Sequence, residues 1–278
     1  MDTAFYSRQG VYRWDDRCRI VADLGFDATY LTLWNDLEWS VHLPRAARAR
    51  AEYGIDVAAV YVTLDLSDES SFERVQGLVR SLEGVTTIEL AIADRGTPPW
   101  RSHGPNAEVR MRWLERLLED ADRRDLTISL YPHTASHLES AEHAAAICSS
   151  FESPRLRMTL SLFHTLLADG SDIAATARAC APYVAAVNVC GIRSVPNAPR
   201  DEPPLAIDRV GVGEVNPLPM LAALRAAGFD GPVGIQGWSV GGDARSALGE
   251  SLAALRTLLD RADAGEGGDL APPVPWLS

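Results

Sequence analysis

Short runs of apolar and β-branched residues recur along the chain, and each is followed by a longer stretch where apolar residues return every three or four positions. The runs fall at residues 28–34 (ATYLTLW), 56–66 (DVAAVYVTLDL), 86–94 (TTIELAIAD), 126–131 (LTISLY), 156–163 (LRMTLSLF), 183–191 (YVAAVNVCG) and 232–238 (PVGIQGW). Near-continuous hydrophobicity, rather than alternation, predicts strands buried on both faces of a parallel sheet. The intervening stretches read as helices. Asp15 or Asp16 opens the first, Ile20, Val21 and Leu24 form its apolar face, and Gly25 closes it. Further helices are expected over 44–54, 70–82, 106–124, 136–150, 171–181, 216–229 and 242–262. Ser136 and Glu139 have the spacing of a capping box, and Asp243 that of an N-cap. The opening TAFYSRQG reads as one more strand, ending near Tyr6 to Gln9.

Counting that segment gives eight strand–helix units, which predicts an α/β fold of the (β/α)8 TIM-barrel type. A doubly wound open sheet is the alternative, but no GxGxxG follows an early strand to open a helix. Residues 1–262 are expected to form a single barrel domain and 263–278 a loose Gly/Pro-rich tail.

Composition narrows the chemistry. The net charge of −12 argues against a nucleic-acid or anionic-membrane partner. No apolar run reaches the roughly 18–20 residues of a membrane span, and the first residues lack a signal-peptide pattern, so a cytoplasmic location is expected. Cys18, Cys148, Cys180 and Cys190 have no metal-ligand spacing and read as small buried residues. All 26 basic residues are arginine. Without a lysine, no side-chain amine can form a Schiff base, which excludes a lysine-dependent aldolase.

In such a barrel the chemistry sits at the C-terminal ends of the strands. The ends deliver Tyr6 and Gln9, Trp34 and Asn35, Thr63 and Asp65, Glu89 and Asp94, Tyr131 and His133, Ser161 and His164, Asn188, and Gln236 and Trp238. The Y-P-H of 131–133, S-x-x-H of 161–164, V-N-V of 187–189 and G-F-D-G-P-V-G-I-Q-G of 228–237 resemble the xylose-isomerase-like sugar isomerase/epimerase superfamily. The resemblance runs from about residue 5 to 262 and is most specific from 126 onward. It implies a TIM barrel whose usual metal ligands would fall at Tyr131, Ser161, Asn188 and Gln236, where none of the expected side chains stands. Four neutral groups are poor ligands for Mn²⁺ or Mg²⁺ but can hydrogen-bond a polyol or carbonyl compound. The chain therefore resembles a divergent branch without the usual metal site.

The expected function is a metal-independent isomerase or epimerase acting on a small sugar or other polar carbonyl compound by enolisation, with no cofactor. Isomerisation itself is implied by the resemblance. His133 and His164 are the candidate acid/base pair, joined by Tyr131. Asn188, Gln236, Ser161, Trp238, Trp34, Arg193 and Glu89 are candidate substrate-binding residues. A lyase or cyclase would use the same enolate. A non-catalytic metabolite-binding barrel and an unconventional metal site through His133, His164, Glu89 or Asp65 remain open alternatives. His42, His103, His137 and His143 read as surface residues, and a homo-oligomer is possible.

Overall fold

The structure, a computed structural model, describes residues 2–7, 10–95, 106–134, 136–170, 172–196 and 204–267. After a 3-10 turn (Asp2–Phe5), β1 (Tyr6–Ser7) and β2 (Gly10–Val11) form a minimal hairpin, followed by α1 (Trp14–Leu24) and β3 (Ala28–Thr32). Next come α2 (Leu43–Ala46), α3 (Ala49–Tyr53), β4 (Asp56–Asp65), α4 (Glu69–Ser81), β5 (Thr87–Ala93), α5 (Ala107–Arg124) and β6 (Thr127–Leu130). The second half runs through α6 (Ala141–Phe151), β7 (Leu156–Ser161), α7 (Leu162–Ala168), α8 (Ile173–Cys180) and β8 (Val184–Val189). A hairpin of β9 (Gly191–Ser194) and β10 (Leu205–Asp208) precedes α9 (Leu218–Ala226), β11 (Val233–Ile235) and α10 (Ala244–Asp263).

Seven parallel strands form one sheet in the order β11-β8-β7-β6-β5-β4-β3. The sequence encodes its two faces by alternation. Leu31, Val60, Ile88, Leu90, Ile128, Leu130, Leu160 and Val187 are fully buried in the main core with the helices. Each such side chain is worth about 1.5–3 kcal/mol of burial. The intervening positions form a second, smaller cluster of Tyr30, Ala59, Tyr61, Ala91 and Tyr131. This inner set carries polar members too: Glu89, Ser129 and Thr159 are buried and hydrogen-bonded together.

The first segment departs from expectation. It is no barrel strand, so the sheet has seven strands and a seam between β3 and β11. Side chains take over the bonds a strand would have made there. The Asp2 carboxylate accepts from the Thr32 amide at 3.2 Å, and the Gly237 amide donates to Thr3 Oγ1 at 3.1 Å. Arg17, fully buried in α1, pairs with Asp2 at 2.9 Å and anchors the turn.

Other boundaries moved for local reasons. The expected helix over 44–54 is broken into α2 and α3, preceded by a π-helical turn at Glu38–His42. The expected helix over 136–150 starts only at Ala141, because Ser136 is used elsewhere and Ser140 supplies the N-cap, accepting from the His143 amide. Asp243 does cap α10, accepting from the Ser246 amide. The expected tail is helical at its first residue, Asp263, and residues 268–278 lie outside the described residues.

Candidate active site

Strand β6 stops one residue short of Tyr131, and Pro132 then turns the chain so that His133 stands at the barrel mouth. A tight loop holds it there. The His133 amide donates to Leu138 O at 2.9 Å, and Ser136 Oγ donates back to His133 O at 2.6 Å. His164 comes from the neighbouring strand. It lies in the first turn of α7, three residues past Ser161 at the end of β7, so it is helical rather than strand-terminal. The two imidazole centroids are 4.1 Å apart, with a tilt of 37°.

Thr134 sets the protonation of both rings. Its carbonyl oxygen lies 2.7 Å from His133 Nδ1, an arrangement that requires the proton on Nδ1 and leaves Nε2 with its lone pair. Its amide and hydroxyl approach His164 Nδ1 at 3.4 and 3.0 Å. An amide can only donate, so His164 Nδ1 accepts and its proton sits on Nε2. That Nε2 is buried and has no hydrogen-bond partner among the described residues. One ring therefore offers a base and the other a donor. Burial lowers the pKa of His133 below its ordinary value, against the Thr134 carbonyl, which raises it. Burial, and then the charge of His133, hold His164 well below its own. Both rings are neutral at pH 7.

Beneath the histidines lies a hydrogen-bonded floor. Ser161 Oγ donates to Gln236 Oε1 at 3.0 Å, and Tyr131 is hydrogen-bonded with Ser161. The serine has one proton, which goes to the amide oxygen, so the Tyr131 hydroxyl donates. Tyr131, Ser161, Asn188 and Gln236 are all at most 5% exposed. Burial, and next the Glu89 charge, raise the phenol pKa well above its usual value, so Tyr131 stays neutral. Asn188 aligns with Ser161 in the sheet, but its Nδ2 has no partner among the described residues.

The remaining candidates are spread out. Trp34 and Trp238 meet edge-on at the rim, 5.1 Å between centroids, each about half exposed, with Tyr6 against Trp34 at 4.8 Å. Glu89 is not at a strand end: it is the third residue of β5, inside the barrel, bonded to Tyr30 and to Thr159. Burial raises its pKa. Arg193 sits on the β9–β10 hairpin, half exposed, paired with Asp208 at 3.3 Å. Asp65 binds the Ser67 amide in a turn, with Arg95 at 3.6 Å.

Two histidines expected on the surface are buried: His42 packs against Trp14, and His137 lies beside Arg110 and Asp94. His103 lies outside the described residues. Sequence reasoning missed Thr134, which acts largely through its backbone, and the buried Asp2–Arg17–Glu38 cluster, in which Tyr6 donates to Glu38 at 3.1 Å.

The positions that would ligate a metal do not fit one. They are a phenol, a hydroxyl and two amides, three of them bonded to one another. Among the described residues, no group of three or more His, Cys, Asp or Glu side chains is placed to hold a metal ion.

The family model of the xylose isomerase-like TIM barrel matches residues 18–258, and the chain belongs to that family. Among solved structures, it is similar to an L-ribulose 3-epimerase (TM-score 0.73, 15% identity, 95% of this chain and 94% of that one). It is also similar to a probable 3-DHS dehydratase from Bacillus anthracis (TM-score 0.68, 14% identity, 91% and 96% covered). A third relative is a xylose isomerase-like TIM barrel/4-hydroxyphenylpyruvate dioxygenase fusion protein (TM-score 0.74, 18% identity), of which 99% of this chain spans 44%. The search of curated proteins returned no match. No described helix is long and apolar enough to cross a membrane.

Proposed function

We propose that the chain is an isomerase/epimerase-like enzyme that enolises a small sugar or other polar carbonyl compound without a metal. One observation carries this reading: Thr134 holds two adjacent neutral imidazoles in opposite tautomers. His133 Nε2 removes the proton next to the carbonyl. The electron pair moves onto the carbonyl oxygen, which accepts a hydrogen bond from His164 Nε2–H. Return of the proton to the other face of that carbon gives the epimer; its delivery to the former carbonyl carbon, with the first carbon's hydroxyl proton passing to the enolate oxygen, gives the isomer. Gln236 keeps its NH2 group for a substrate oxygen, Tyr131 and Ser161 hold that amide in place, and Trp34 and Trp238 flank the entrance. Arg193, half exposed on the β9–β10 hairpin, is the candidate contact for a charged substituent.

A lyase reading is favoured by the likeness to a dehydratase. The same enolate would then expel a β-hydroxyl as water, protonated by the His133 imidazolium that carries the abstracted proton.

The test is solvent exchange. Wild-type protein is incubated in D2O with a panel of ketoses, aldoses and keto sugar acids, and loss of the α-proton signal is followed by NMR. Exchange should occur with at least one compound and fall by about 10²–10⁴-fold in His133→Ala. Unchanged exchange in both His133→Ala and His164→Ala overturns the assignment. Thermal stabilisation without exchange favours a binding barrel, and stoichiometric Mn or Zn in purified active protein overturns the metal-free chemistry.

A further inference from the structure

Among the described residues, the seam between β3 and β11 is bridged at its upper end, where Asp2 and Thr3 reach Thr32 and Gly237. Below that bridge a cavity of about 360 Å³ enters the barrel between the two edge strands. Small residues create it: Ala28, Ala58, Ala186 and Gly234 line it where a filled barrel carries bulky branched side chains. β4 bulges here, with both Ala58 and Ala59 facing Tyr30, and Ala58 is exposed between buried neighbours because it looks into this space. Val21 of α1 and Leu252 and Leu255 of α10 close the outer wall.

The inner end of the cavity is polar. Glu89 and Asn188 both reach it, and each is under 5% exposed. The Glu89 oxygens are taken by Tyr30 and Thr159. The amide of Asn188 is not satisfied: its Nδ2 has no partner among the described residues. A buried donor left unmade costs about 1–3 kcal/mol, so native interiors seldom keep one without a ligand or water to meet it.

We infer that this cavity is a second binding site, distinct from the histidine site, for a small neutral molecule with a compact apolar body and one oxygen acceptor, such as a ring alcohol or ketone. The size fits. A dry apolar cavity of about 150 Å³ already takes a benzene-sized guest, and ligand sites begin near 300 Å³. The walls favour an apolar body, and the Asn188 amide selects an oxygen acceptor. This site stands independently of the proposed chemistry at the barrel mouth, since His133, His164, Tyr131, Ser161 and Gln236 do not line it.

The probes are 2-naphthol and naphthalene, which differ by the one oxygen. Titration of the full chain should show saturable 2-naphthol binding, with NOEs from the probe to the methyls of Ala186, Leu252 and Leu255. Naphthalene should bind several-fold more weakly, and Asn188→Leu should erase that difference. Ala186→Phe, which fills the space, should weaken 2-naphthol binding at least tenfold. Should that variant fail to fold, the wild-type NOEs decide the question alone. Absence of saturable binding, NOEs only to residues outside the cavity, or equal affinity for both probes would overturn the inference.

Discussion

At the barrel mouth, Tyr131, Ser161 and the Gln236 carbonyl bond to one another, and beside the Gln236 NH2 group stand two imidazole nitrogens of opposite character. At the base, alanines and a glycine leave about 360 Å³ open, and the group left over is a single amide. The same alternation of inward and outward residues builds both ends. What differs is how much polarity the inward positions carry and whether it is closed into a network. A closed network leaves the histidines and the Gln236 NH2 group to face a substrate, whereas an open one leaves room and a donor. Chemistry is therefore expected at the first end and simple binding at the second.

The strongest way to break this contrast is to remove the bridge that separates the two ends. Asp2 is fully buried between Arg17 and Thr32. Replacing it with alanine takes from the buried Arg17 its closer partner and leaves Glu38 at 3.8 Å, and breaking a buried pair from one side costs about 3–5 kcal/mol. Asp2→Ala should lower unfolding free energy by that order in urea titration and extend the seam upward. A loss below about 1 kcal/mol would mean that the turn does not close the barrel.

A smaller change sharpens the mouth alone. Thr134→Val keeps the backbone groups and removes the hydroxyl that lies 3.0 Å from His164 Nδ1. The long amide contact at 3.4 Å then holds the tautomer by itself. The His164 ¹⁵N spectrum should shift from one tautomer to a mixture, and kcat should fall roughly tenfold, about 1.4 kcal/mol, with KM little changed. An unaltered tautomer with unaltered kcat would show that the threonine hydroxyl does not position the ring.

Much of this architecture is legible in the chain, and the misses have physical causes. The apolar runs at 126–131 and 156–163 mark strands because burial on both faces demands near-continuous hydrophobicity, and so they locate His133 and His164. Thr134 is harder to see: two of its three contacts use a carbonyl and an amide that every residue possesses, and its hydroxyl meets His164 only in the fold. The first strand was misjudged because Asp2 and Thr3 use side chains to satisfy Thr32 and Gly237, and pattern reading takes no account of that substitution. Ser136 has the spacing of a capping box, but its hydroxyl donates to the His133 and Leu138 carbonyls and Ser140 caps the helix instead. Glu89 is read as a strand-end residue because a slip of an even number of positions along β5, here four to Ala93, preserves its face and changes only its depth.

Acidity separates the two ends with the least perturbation, because their titrating groups act with opposite sign. His133 and His164 have folded pKa values below the ordinary 6.5. The unfolded chain therefore takes up protons first as pH falls below 6.5, and stability is lost from there down to the depressed folded values. Glu89 is raised above its ordinary 4.5 by burial. Its contribution is complete below 4.5 and is lost as pH rises toward its folded value. Between 4.5 and 6.5 the two trends oppose, so the wild-type profile should be shallow. Removing the mouth's share with His133→Gln and His164→Gln together should make the protein gain stability, relative to wild type, as pH falls through that interval. Glu89→Gln should do the reverse and steepen the acid loss. Urea unfolding at half-unit steps from pH 4 to 8 reads both. Parallel profiles for all three proteins would show that neither end couples folding to protons, and the two ends would then differ in shape alone.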